Sequence, residues 1–104
     1  MPRTVSDILR EIEGFQPVDD DWRPLDVLLN ELWSSGVPEA ALPTLFGVFE
    51  RYPDFDGAGV FWSILHGVEG LEIDYEQALR DSLARRSSEM GKVMLARLER
   101  ECLN

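Results

Sequence analysis

Cysteine and histidine are nearly missing from this 104-residue chain, which has one of each, Cys102 and His66. The scarcity excludes an internal disulfide and, on ordinary ligand counts, a zinc site made of thiolates and imidazoles. A Cys–His nucleophile would need Cys102, at the end of the sequence, to meet His66, and nothing in the sequence orients the pair. Cys102 reads more simply as a small apolar residue near a chain end. Strand patterning is almost absent too, since no alternating β-branched run reaches five residues. No apolar run approaches the ~20 residues that a membrane span requires. The opening MPRTVSDILREIEGF has no apolar core of a signal peptide, so the expected location is the cytosol, where a lone thiol stays reduced.

Basic charge is also in short supply. Ten Lys and Arg face twenty Asp and Glu, a net charge of −10, which argues against nucleic acid or an anionic membrane as partner. The imbalance is uneven. Residues 1–79 hold sixteen acidic side chains and four arginines, whereas residues 80–104 hold four acidic and six basic ones. Such a field would steer a basic protein toward the first three quarters of the chain, and it would equally serve solubility alone.

What remains is the composition of a globular protein, 44% hydrophobic and 29% charged, at a length that suits one domain. Helical periodicity runs throughout. Thr4 with Asp7 three residues on predicts a capped helix over 5–13, buried through Val5, Ile8, Leu9 and Ile12. Gly14 ends it, and Phe15 should fold back onto the core. The acidic run Asp19-Asp20-Asp21 offers a contact patch or a solvated stretch, and one aspartate could cap the second helix. Pro24 opens that helix, which runs to about Ser34, buried through Leu25, Leu28, Leu29 and Leu32, with Trp33 alongside and Gly36 closing it. After a short connector, Pro43 opens a third helix to Arg51, packed through Leu45, Phe46, Val48 and Phe49.

The stretch from Tyr52 to Leu71, YPDFDGAGVFWSILHGVEGL, organises the rest. Pro53 cannot continue the preceding helix, and Asp54-Phe55-Asp56-Gly57 is turn chemistry. Asp56 is placed to cap a helix running from about Gly57 to Glu69. Val60, Phe61, Ile64 and Val68 form its buried face, and Gly70 stops it. Trp62, Leu65, His66 and Glu69 make a second stripe at helical spacing. That stripe reads either as a recognition surface, an aromatic anchor ringed by polar groups, or as the wet edge of the core. Asp74 with Gln77 suggests a capping box for a helix over 75–86, with Ala78, Leu79 and Leu83 inward. Ser87 or Ser88 then caps a last helix, 89–102, buried through Met90, Val93, Met94, Leu95, Ala96 and Leu98. The expected fold is all-α, about six helices. Helix starts near 24, 57 and 89 recur every 32 or 33 residues, the size of a helix-turn-helix repeat. Both an antiparallel helical bundle and a short HEAT-like α-solenoid satisfy that spacing.

No catalytic or cofactor motif emerges. Asp54-x-Asp56 resembles the opening of a calcium loop, but Ala58 stands at the third acidic position and Leu65 where a bidentate Glu belongs. Gly57-Ala58-Gly59 lacks the third glycine of a dinucleotide fingerprint and follows no strand. Paired carboxylates, the basis of a hydrolase reading, are too common on an acidic helical chain to single out a site. The expectation is a protein that is not an enzyme and holds no metal or cofactor.

The run Phe49-Glu50-Arg51-Tyr52-Pro53, the helix Trp62-Ser63-Ile64-Leu65-His66-Gly67-Val68-Glu69, the basic pair Arg85-Arg86 and Ser88-Glu89 together resemble small helical immunity proteins of bacterial polymorphic toxin systems. The likeness covers roughly residues 45–98, and the Trp-to-Glu segment is its most specific part. It implies a cytosolic protein that binds a co-produced toxin, many of which are nucleases with basic surfaces, and blocks its active site or substrate surface. On position and chemistry, Asp54, Asp56, Trp62, His66, Glu69 and Glu72 are the candidate contact residues. The rival expectation is a helical adaptor or regulatory module with an unrelated protein partner.

Overall fold

A computed structural model of the chain describes residues 4–55, 57–71 and 73–102. Asp56 and Glu72 lie outside the described residues, as does the side chain of Cys102. Six α-helices follow one another: α1 (Val5–Glu13), α2 (Arg23–Ser35), α3 (Leu42–Arg51), α4 (Val60–Glu69), α5 (Glu76–Arg85) and α6 (Glu89–Cys102). Single 3-10 turns, Glu39–Ala41 and Gly57–Gly59, lead into α3 and α4. The fold is all-helical, and among the described residues the only β pairing is one isolated bridge between Val18 and Asp21.

The helices pack along two rails. α1 touches α3 and α3 touches α5, while α2 touches α4 and α4 touches α6. Contacts of α1 with α2, α5 with α6 and α3 with α6 tie the rails together. The thinnest dimension, 21 Å against 44 and 30 Å, is that of two helix layers at ~10 Å each. The observed starts of α2, α4 and α6, at residues 23, 60 and 89, lie 37 and then 29 residues apart, so alternate helices stack along each rail without the even 32–33-residue spacing expected from sequence.

One core joins the rails. Ile8, Ile12, Leu25, Leu29, Leu32, Leu45, Phe46, Phe61, Ile64, Leu65, Val68 and Leu79 are fully buried within it. Each such side chain is worth ~1.5–3 kcal/mol relative to exposure, which explains why short helices with modest intrinsic stability persist. Trp22, given no role by helical periodicity because it lies in a linker, is buried at the centre of an aromatic group. Its ring meets Tyr52 at 5.1 Å and Phe61 at 5.3 Å, both edge-on, and Phe15 at 5.9 Å.

Local signals set most helix ends. The Thr4 hydroxyl accepts from the Asp7 amide, and the Asp7 carboxylate accepts from the Thr4 amide, the expected reciprocal cap. Asp21 accepts from the Arg23 amide and makes a two-pronged pair with the Arg23 guanidinium at 2.8 and 2.9 Å. Those bonds pull its carboxyl down to about 2 and tie Asp21 to the first residue of α2. Ser88, not Ser87, caps α6 by accepting from the Gly91 amide at 3.0 Å.

Three expectations need correction. The helix carrying Trp62 begins at Val60, because Gly57 and Gly59 take φ of 60° and 91°, which right-handed helix excludes. The capping box at α5 does not form. Asp74 accepts from the Glu76 amide, Tyr75 is the N-cap, and Gln77 donates along its own helix to Asp81. In α6, Ala96 is exposed; the buried small residue is Gly91, pressed against Leu83 and the Ser88 hydroxyl.

Candidate protein-binding surface

The turn after α3 is held from both sides. The Tyr52 amide donates to Val48 and the Phe55 amide to Tyr52, closing the helix and the turn. The Pro53 carbonyl accepts from the Glu89 amide at 2.8 Å, fastening the turn to the start of α6. With Tyr52 against Trp22 and Pro53 engaged, the tip has nowhere to go but outward. Asp54 is exposed there, with no hydrogen bond or ion pair among the described residues, and Phe55 is 58% exposed. An aromatic standing free between two aspartates was not singled out from sequence. The available signal was its place at the tip of a Pro-initiated turn, where a side chain cannot reach the core.

On α4 the second stripe divides. Leu65 is fully buried, whereas Trp62 is 37% exposed and His66 is exposed. Trp62 and His66, one turn apart, face each other with ring centroids at 6.0 Å and planes 34° apart. One turn beyond, Glu69 receives two bonds from Arg97 of α6, at 2.7 and 3.0 Å. The structure therefore brings Trp62 and His66 together and ties Glu69 to α6. Asp54 hydrogen-bonds to none of the three. Arg97 could not be matched to Glu69 from sequence, because the two lie 28 residues apart and nothing local pairs them.

Electrostatics sharpen the surface. Five described cations, Arg23, Arg80, Arg85, Lys92 and Arg97, sit in ion pairs with the protein's own carboxylates. Hydrogen bonding to Glu50, reinforced by the charges of Glu50 and Asp81, raises the pKa of Arg85. Glu13, Asp19, Asp20, Asp26, Glu39 and Asp54 have no cationic partner among the described residues. The acidic surplus thus stands uncompensated at the surface, while much of the positive charge is already paired with the protein's own carboxylates. Among the described residues no three His, Cys, Asp or Glu side chains converge as metal ligands would, and no helix is long and apolar enough to cross a membrane.

Comparison of the chain with protein-family models, with curated proteins and with solved structures gives no match.

Proposed function

We propose that this protein neutralises a bacterial toxin by binding a basic surface of it in the cytosol, as the resemblance over residues 45–98 implies. The observation that supports this reading is the placement of charge. Five cations are paired with the protein's own carboxylates, and Asp54 projects with no cationic partner among the described residues, beside exposed Phe55. Trp62 and His66 supply an aromatic surface of the kind that anchors protein interfaces. An acidic inhibitor of this kind attracts a nuclease quickly and competes with its nucleic acid.

The test is a tagged pull-down from the native bacterium at low and then moderate salt, followed by binding kinetics with the purified partner. One dominant basic toxin, released as salt rises, is the expected result. Replacing Asp54→Lys together with Asp56→Lys should then slow association roughly tenfold without lowering the melting temperature. Unchanged kinetics would remove the acidic turn from the interface. Capture of a partner with no toxic activity would replace the toxin reading with that of a helical adaptor.

A further inference from the structure

The rail formed by α1, α3 and α5 carries a surface that the toxin reading does not use. Two adjoining grooves, about 530 and 280 Å³, meet at Pro43 on the outer side of α3. One runs between α3 and α5 past Ala40, Leu42 and Ala78; the other crosses Thr44 and Gly47 toward the end of α1. Their floor is made of small or apolar side chains. At Gly47 an added Cβ would meet nothing within 4 Å, so the second groove is open above α3.

Its walls are acidic. Glu39, Asp74 and Asp81 line one groove, and Glu13 and Glu50 the other. Arg51 lines the second groove and Arg85 reaches Glu50 from beside it, and both guanidiniums are engaged. Arg85 forms a two-pronged pair with Glu50, and Arg51 donates to the Ile12 carbonyl at 2.9 Å. Glu13 and Glu39 have no cationic partner among the described residues.

We infer that this trough is a docking site for a cationic polypeptide segment of a partner protein, one with small residues between its Lys or Arg side chains. Charge complementarity selects the occupant: small side chains seat on the Pro43–Gly47 floor while the cations reach the acidic walls. The site requires a basic partner segment but not a toxin, so it can stand or fall independently of the function proposed above.

A fluorescein-labelled peptide alternating Arg with Ala over about eight residues, longer than the ~15 Å run of α3, is the probe. Its anisotropy is titrated with the wild-type protein and three variants, each shown by circular dichroism to be folded. Gly47→Trp fills the trough without altering charge, Glu39→Lys reverses one wall, and Asp26→Lys reverses an equal charge elsewhere. The expected result is wild-type binding weakened about tenfold by both trough variants, the effect of losing one well-placed anchor, with Asp26→Lys nearly neutral. No binding by the wild type, indifference to Gly47→Trp, or equal losses from Asp26→Lys and Glu39→Lys would each overturn the trough. None of those results touches the toxin reading, which the pull-down decides.

Discussion

Helices α3 and α4 are each ten residues long, each has a glycine in its interior, and each sends one glutamate to a two-pronged arginine on the next helix of its own rail. The two glycines nevertheless have opposite surroundings. At Gly67 a Cβ would fall onto the Trp33 indole, so only glycine lets α2 and α4 approach as they do. At Gly47 nothing lies within 4 Å. A glycine in a helix interior costs about 1 kcal/mol relative to alanine. In α4 that cost is offset by close packing against Trp33. In α3 no such contact among the described residues offsets it, and the open floor of the trough is what the glycine leaves behind.

The largest expected effect tests the α4 side. Gly67→Ala should destabilise the protein by ~2 kcal/mol, because overpacking against Trp33 outweighs the gain in helix propensity. In a protein of this size that lowers the melting temperature by roughly 10 °C. Adding Trp33→Leu should recover part of the loss, so the double variant melts above the temperature given by summing the single effects. A Gly67→Ala protein as stable as wild type would mean that Trp33 is not pressed on α4, and the contrast between the helices would vanish.

A middle-sized effect separates the two glutamates. Glu50 and Glu69 are similarly shielded, at 17% and 18% side-chain exposure, and each is clasped by arginine. Glu50 alone also accepts from the Ser82 hydroxyl, at 2.8 Å, and Ser82 is buried. Glu50→Ala leaves that hydroxyl without its acceptor and should cost ~2 kcal/mol in urea denaturation. Glu69→Ala removes a pair whose arginine, Arg97, is already 39% exposed, and should cost ~1 kcal/mol or less. Equal costs would show that Ser82 finds another partner and that the two clasps are interchangeable.

The features of this comparison were unequally legible. Local rules were enough where the controlling atoms lie within one turn: α1 has the expected bounds and cap, and Gly36 and Gly70 close their helices. The same rules failed at Asp74 and Gln77, where the pattern is present but the helix begins a residue later, at Glu76. Periodicity placed Leu65 beside Trp62 and His66 but could not separate its burial from their exposure, because the boundary between stripes is drawn by α2 and α6. Trp22, Arg85 and Arg97 acquire their roles from residues between 28 and 39 positions away, and no short-range pattern reports such meetings. Gly47 and Gly67 are alike as letters, and only packing distinguishes them. Of the candidate surface, sequence located the turn and the helix face; it could not show that Asp54 stands apart from the Trp62–His66 pair while Glu69 is tied to α6.

The smallest effect bears on the α3 side and has the opposite sign. Gly47 lies inside a helix with ordinary backbone angles and open space where a methyl group would go. Gly47→Ala should therefore stabilise the protein by ~0.5–1 kcal/mol, raising the melting temperature by a few degrees. The same methyl group would stand on the floor of the trough, so affinity for the Arg–Ala peptide should fall slightly as stability rises. Those opposed shifts distinguish a glycine that keeps a surface clear from one that serves neither packing nor binding. Stability and affinity rising together would mean that the floor is not what the peptide touches, and lower stability would mean that another part of the chain already covers α3.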